Sequence, residues 1–203
     1  MIKNIVFDMG KVLLFYDSMR VCRHFIEDEK DQEAVCTAVF VSPEWILLDM
    51  GVIPENQELA QMCARLPERL HEAAKLCFDN WHNYCMWKNE EMEVLVRELK
   101  AKGYHLYVCS NASVRLPAHY KEVIPAVECF DGLLFSAEVK CLKPQKEMYG
   151  HFFERFGLKP EECYFIDALP MNIEGARACG MDGHCFADNS MENLRKDLEK
   201  VLS

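Results

Sequence analysis

The chain has 203 residues, half of them hydrophobic and 28% charged, with a formal net charge of -10. That length suffices for one substantial core plus an accessory element. The acidic balance argues against a nucleic-acid partner and against any electrostatic gain at an anionic membrane surface, so a phosphate ligand would need positive charge supplied locally.

The first run, residues 2–7, is apolar and rich in β-formers, and it ends at Asp8 with Gly10 two places on. It is too short for a signal peptide and is broken by a charge. No stretch approaches the length of a membrane span. These features predict a cytoplasmic protein. Lys11 and Tyr16 follow Asp8 closely and face either its site or solvent.

Residues 18–87 then read as helices only, over 19–28, 32–40, 43–50, 55–65 and 67–84. The acidic run 27–31 reads as a solvated helix end. Trp45, Asp49, Trp81, His82 and Trp87 suggest a pocket, but aromatic residues at helical spacing are more often core. The tryptophans are therefore assigned to packing and His82 to a satisfied or surface position.

A helix over 90–102 follows, with Met92, Leu95, Val96 and Leu99 on one face and Gly103 as its stop. From there strands alternate with helices. The strands are 105–109, 132–135, 163–166 and 183–186. The helices are 144–156, with Pro144 at its first position and Gly157 as its stop, and 172–179, closed by Gly180. Apolar strands without alternation are buried on both faces. The prediction is an α/β fold: a Rossmann-like parallel sheet flanked by helices, built from 1–17 and 88–203. Residues 18–87 form a helical cap inserted after strand one, over the carboxyl ends of the strands. The 11 cysteines are odd in number and contain no Cys-x-x-Cys pair, which reads as small buried residues in a reducing compartment.

Four polar sites fall at strand ends or helix starts: Asp8, Ser110-Asn111, Lys143-Pro144 and Asp167. In an open parallel sheet, ligands bind outside the carboxyl ends of the strands. Two carboxylates brought together there repel unless a cation lies between them, and a hard divalent ion such as Mg2+ suits oxygen ligands. A serine hydroxyl, backbone N–H groups and a lysine then suit a phosphate dianion. A carboxylate is left to attack phosphorus.

In order and spacing these motifs resemble the haloacid dehalogenase superfamily. The segments are Phe7-Asp8-Met9-Gly10-Lys11-Val12-Leu13, Val108-Cys109-Ser110-Asn111, Leu142-Lys143-Pro144, and Phe165-Ile166-Asp167 with Asn172-Ile173-Glu174-Gly175-Ala176. The insertion is similar to the small helical cap of the sugar-phosphate phosphatase branch. The Asp-x-Gly first motif resembles the branch of glucose-1-phosphate phosphatase-like proteins.

The resemblance implies a phosphatase for a small phosphorylated metabolite, with a sugar phosphate among the candidates, acting as a monomer or homodimer. Asp8 would be nucleophile and metal ligand, and the Gly10 carbonyl a second ligand of Mg2+. Ser110, Asn111 and Lys143 would bind phosphate, Lys143 would also bind Asp8, and Asp167 would reach the metal directly or through water. Two positions depart from the pattern. Gly10 replaces the usual acid–base aspartate, and Ala168 replaces a usual metal carboxylate. A second reading is therefore a degenerate member that binds phosphate or a partner with little turnover. A third, ranked below both, is metal-free dehalogenation on Asp8.

Overall fold

The structure, a computed structural model, describes residues 1–113 and 115–203, without the side chains of 55, 56, 117 and 118. Five strands form one parallel sheet. They are β1 (Asn4–Phe7), β4 (His105–Ser110), β5 (Gly132–Phe135), β6 (Cys163–Asp167) and β7 (Asp182–Cys185), in the order β5-β4-β1-β6-β7. β1 is central, with Phe7 level with Val108 on one side and Ile166 on the other. The order reverses around β1, so the crevice at its carboxyl end is where such a sheet binds ligands.

β1 is buried at every position, and its side chains alternate between two cores. Ile5 and Phe7 belong to the larger core, which includes α6 (Glu90–Ala101) and α11 (Met191–Leu202). Val6 joins the smaller core with Tyr107, Phe165, Met148, Tyr149 and Phe152, under α9 (Lys146–Phe156) and α10 (Pro170–Ala178). α6 begins with Asn89 accepting the Met92 N–H, and its predicted apolar stripe Met92, Leu95, Val96 and Leu99 is buried. Helices α7 (Leu116–Val123) and α8 (Ser136–Val139) complete this part.

Between β1 and β4 the chain runs through α1 (Met19–Phe25), α2 (Glu29–Phe40), α3 (Pro43–Met50), α4 (Glu55–Cys63), a 3-10 turn (Glu68–Leu70) and α5 (His71–Tyr84). α3 starts as predicted, with Ser42 accepting the Trp45 N–H and a proline in the first turn. A short antiparallel ribbon, absent from the predicted elements, forms the stem of this helical segment. β2 (Leu14–Tyr16) pairs with β3 (Met86–Lys88). The returning strand is tied back by the Asn89 N–H to Leu13 O at 3.1 Å and by Asn89 Nδ2 to Val12 O at 3.1 Å.

Several predicted boundaries are corrected. The helix read as 19–28 stops at Phe25 and the one read as 32–40 starts at Glu29, so the acidic run opens a helix, with the Asp28 side chain accepting the Asp31 N–H. Pro144 does not open a helix; α9 begins at Lys146. The residues before it form a turn, with the Gln145 N–H donating to Leu142 O and Gln145 Oε1 accepting the Leu142 N–H. This turn carries Lys143 into the crevice. All 11 cysteines are free thiols, and among the described residues no helix is long and apolar enough to cross a membrane.

Candidate active site

Asp8 follows β1 directly, and its N–H donates to Ile166 O at 2.8 Å. Ser110, the last residue of β4, donates from Oγ to Asp8 Oδ1 at 2.8 Å. Lys143 Nζ lies 2.8 Å from Asp8 Oδ1 and 2.7 Å from Asp167 Oδ2. Asn111 holds the Lys143 backbone from both sides: Nδ2 donates to Lys143 O at 3.1 Å, and Oδ1 accepts the Lys143 N–H at 2.8 Å. The fold thus brings together Asp8, Ser110, Asn111, Lys143 and Asp167, which are far apart in sequence.

Asn172, a further buried residue, completes the group without having been assigned a role in the sequence. Its Nδ2 donates to both oxygens of Asp167, at 3.1 and 3.0 Å. The Leu169 N–H reaches Asp167 Oδ1 at 2.8 Å. Asp167 is fully buried, and each of its oxygens accepts two hydrogen bonds. Gly175 lets α10 press against the lysine loop: a Cβ there would stand 2.8 Å from Pro144 O.

Two carboxylates and one ammonium leave this buried cluster with one net negative charge. Burial raises the pKa of Asp8 and the Asp167 charge adds to it, while Lys143 and Ser110 oppose. Burial works against the Lys143 ammonium, but the Asp8 and Asp167 carboxylates outweigh it and hold its pKa above the ordinary lysine value. Lys143 is therefore a fixed positive charge, available to an anion but not to proton exchange near neutrality.

Arrival of a phosphate dianion would leave three net negative charges in a site of low dielectric, which calls for a divalent cation. The donors fit one, in a reduced form. Among the described residues, Asp8 Oδ2 and the Gly10 carbonyl have no hydrogen-bond partner. Asp167 has its acceptor positions filled, and Ala168 offers no carboxylate. Mg2+ needs only one or two carboxylates when substrate oxygens and water complete its octahedron.

The cluster opens into a cavity of about 260 Å3. Its lining includes Asp8, Gly10, Lys11, Ser110, Asn111 and Lys143 at the floor. Above them lie Tyr16, Trp45, Asp49, Trp81 and Met86 from the stem and helical segment. Trp45 and Trp81 meet edge to face with centroids 5.4 Å apart, so they are packed residues, as predicted, and wall residues as well. Lys11 and Tyr16 both face the cavity. Trp87 is not the core residue expected: it stacks on Phe15 outside the cavity and is 41% exposed. His82 stacks on His119, and its Nδ1 is buried with no partner among the described residues, so it is not satisfied as expected.

A family model of haloacid dehalogenase-like hydrolases matches residues 2–180. The chain belongs to that family. Among curated members it is 25% identical over 187 residues to a sesquiterpene phosphatase of Aspergillus oryzae, covering 92% of this chain and 91% of the relative. It is also 25% identical over 223 residues to the D-ribitol-5-phosphate phosphatase of Bacteroides thetaiotaomicron, over the full length of both. Among solved structures, a HAD family enzyme from the same bacterium, in complex with magnesium and inorganic phosphate, superposes with a TM-score of 0.71. It is 21% identical, with 96% of this chain and 99% of that one covered. The L-2-haloacid dehalogenase of Xanthobacter autotrophicus shares the fold at a TM-score of 0.67 and 18% identity, covering 98% and 83%.

Proposed function

We propose that this HAD-like hydrolase is a phosphatase that cleaves small phosphomonoesters through an aspartyl-phosphate on Asp8. The observation that carries the proposal is the buried Asp8–Ser110–Lys143–Asp167 cluster at the mouth of the central strand, opening into a cavity. Phosphatases among its relatives support the same reading.

The Ser110 hydroxyl, the Asn111 N–H and Lys143 hold the phosphoryl group over Asp8. Asp8 attacks phosphorus, the ester oxygen departs, and water then cleaves the aspartyl-phosphate to release inorganic phosphate and restore the carboxylate. Asp167, anchored by Asn172, keeps Lys143 charged and aimed. Mg2+ would be held by Asp8 and the Gly10 carbonyl, Asp167 having no acceptor position left for it or its water, and would neutralise charge on the phosphoryl oxygens. The alcohol leaves toward Trp45, Trp81 and Met86, a wall that suits an apolar or ring-bearing leaving group. Sugar phosphates and alkyl phosphates both belong in the substrate panel. Eleven free thiols suit a reducing, cytoplasmic setting.

The test is phosphate release from that panel with Mg2+, comparing the parent with Asp8→Asn. Loss of turnover by at least about a thousandfold in the variant is expected, and equal rates would remove Asp8 as the nucleophile. The saturated Asp167 beside Ala168 favours a second reading, phosphate binding with little turnover. It would be supported if the parent binds phosphate but hydrolyses nothing in the panel.

A further inference from the structure

Position 10 leaves room in the site. A Cβ at Gly10 would meet nothing within 4 Å, so the place where this family's pattern puts a proton-transferring aspartate is open space. The same cavity is lined by a different carboxyl group. Asp49 lies in the last turn of α3 and lines the cavity together with Asp8, Gly10, Ser110 and Lys143. One attachment brings it there. Its carbonyl accepts the Ser136 hydroxyl, which itself accepts the Ala112 N–H at 2.9 Å. Its carboxyl group lies near the backbone N–H of Ser113, three residues beyond Ser110. The loop that would grip phosphate is therefore tied to Asp49 through Ser136.

We infer that Asp49 supplies the proton transfer that Gly10 cannot, donating to the departing ester oxygen and later taking a proton from the attacking water. This rests on the phosphatase reading above. In the first step the Asp8 oxygen bonds to phosphorus, the P–O bond to the alcohol breaks, and the Asp49 proton goes to the alcohol oxygen. In the second step water attacks phosphorus, its proton passes to Asp49, and the P–O bond to Asp8 breaks. Both side chains return to their starting states.

The neighbours of Asp49 suit the role. The charge facing it from β1 is Asp8, which favours the protonated acid. The residue facing it from β2 is Tyr16, whose hydroxyl is buried with no partner among the described residues. The end of a helix also disfavours a negative charge, and the last turn of α3 holds no basic residue. Burial, with the Asp8 charge adding and the Ser113 N–H opposing, pushes the Asp49 pKa up to about 7, near the working range of a general acid–base. The other dissociable groups of the lining are less suited: Lys143 is locked between two carboxylates, burial raises Tyr16 far above neutrality, and Lys11 is a solvent-exposed ammonium.

The experiment compares parent, Asp49→Asn, and Asp49→Asn with Gly10→Asp, on p-nitrophenyl phosphate and on an alkyl phosphate, with Mg2+ and rapid mixing. In Asp49→Asn, alkyl phosphate turnover is expected to fall about 10²–10⁴-fold. With p-nitrophenyl phosphate, whose leaving group needs no proton, a burst of one nitrophenolate per enzyme should precede slow turnover, because the second step still lacks its base. The limb of the pH–rate profile near neutrality should disappear, and Gly10→Asp should restore alkyl phosphate turnover. Unchanged rates, or equal losses on both esters with no burst and an unchanged pH profile, would overturn the assignment. If Asp8→Asn matches the parent, it is the phosphatase reading that fails, and this inference falls with it.

Discussion

At the scale of single residues, Lys143 decides the most. It is buried with, among the described residues, only Asp8 and Asp167 as counter-charges, and removing it would leave two carboxylates facing one another without compensation. Lys143→Met is expected to lose about 3–5 kcal/mol of stability at neutral pH. Urea denaturation should show the loss shrinking in acid as the carboxylates protonate. Asp49 gives the opposite kind of signal. Its folded pKa is raised, so its contribution to stability is complete below the unfolded value of about 3.9 and is lost as pH rises toward about 7. In metal-free buffer, the parent should lose of order 1–3 kcal/mol across that window, and Asp49→Asn should flatten the slope.

At the scale of elements, the helical segment shares the larger core, and at one point its approach to the sheet domain is close. The C-terminal end of α3 meets α8 where Gly51 adopts φ of 68° and a Cβ would stand 2.5 Å from Ala137 O. Gly51→Ala must strain its own backbone and push the two elements apart. The expected cost is about 1–3 kcal/mol, read as a lower melting midpoint. A rise in KM larger than the change in kcat should accompany it, because Asp49 and Trp45 share the displaced helix. The helices 43–50 and 90–102 were legible because capping and periodicity are local signals. The β2–β3 ribbon was not, since two three-residue strands separated by about seventy positions show no period of their own. α7, α8 and α11 also lie outside the predicted helices. The Lys143 turn was misread as a helix start because a lysine–proline pair looks the same in either setting.

At the scale of the whole molecule, a chain with a net charge of -10 has one buried lysine, Lys143, at the floor of its cavity, and the proposed function makes that lysine, the neighbouring backbone N–H groups and a metal the grip on phosphate. Binding to the folded state alone raises its stability by RT ln(1 + [L]/Kd). Mg2+ alone should raise the melting midpoint slightly, because only one carboxylate is free to bind it. Mg2+ with a phosphate analogue should raise it by several degrees, more than the sum of the shifts that each ligand gives alone. Additive shifts in a thermal melt would argue against a shared site.

The order of the motifs along the chain, the doubly wound sheet and the polar residues at its carboxyl edge could all be read from the sequence, because strand ends, apolar runs and caps are written in neighbouring residues. The sequence also marked the two departures at Gly10 and Ala168. Tertiary structure decided the rest. It showed Asp167 saturated by Asn172, Leu169 and Lys143, Trp45 and Trp81 serving as both packing and wall, and Asp49 lining the same cavity as the space at Gly10. These are distances between residues remote in sequence, and periodicity carries no information about which helical face turns toward which strand.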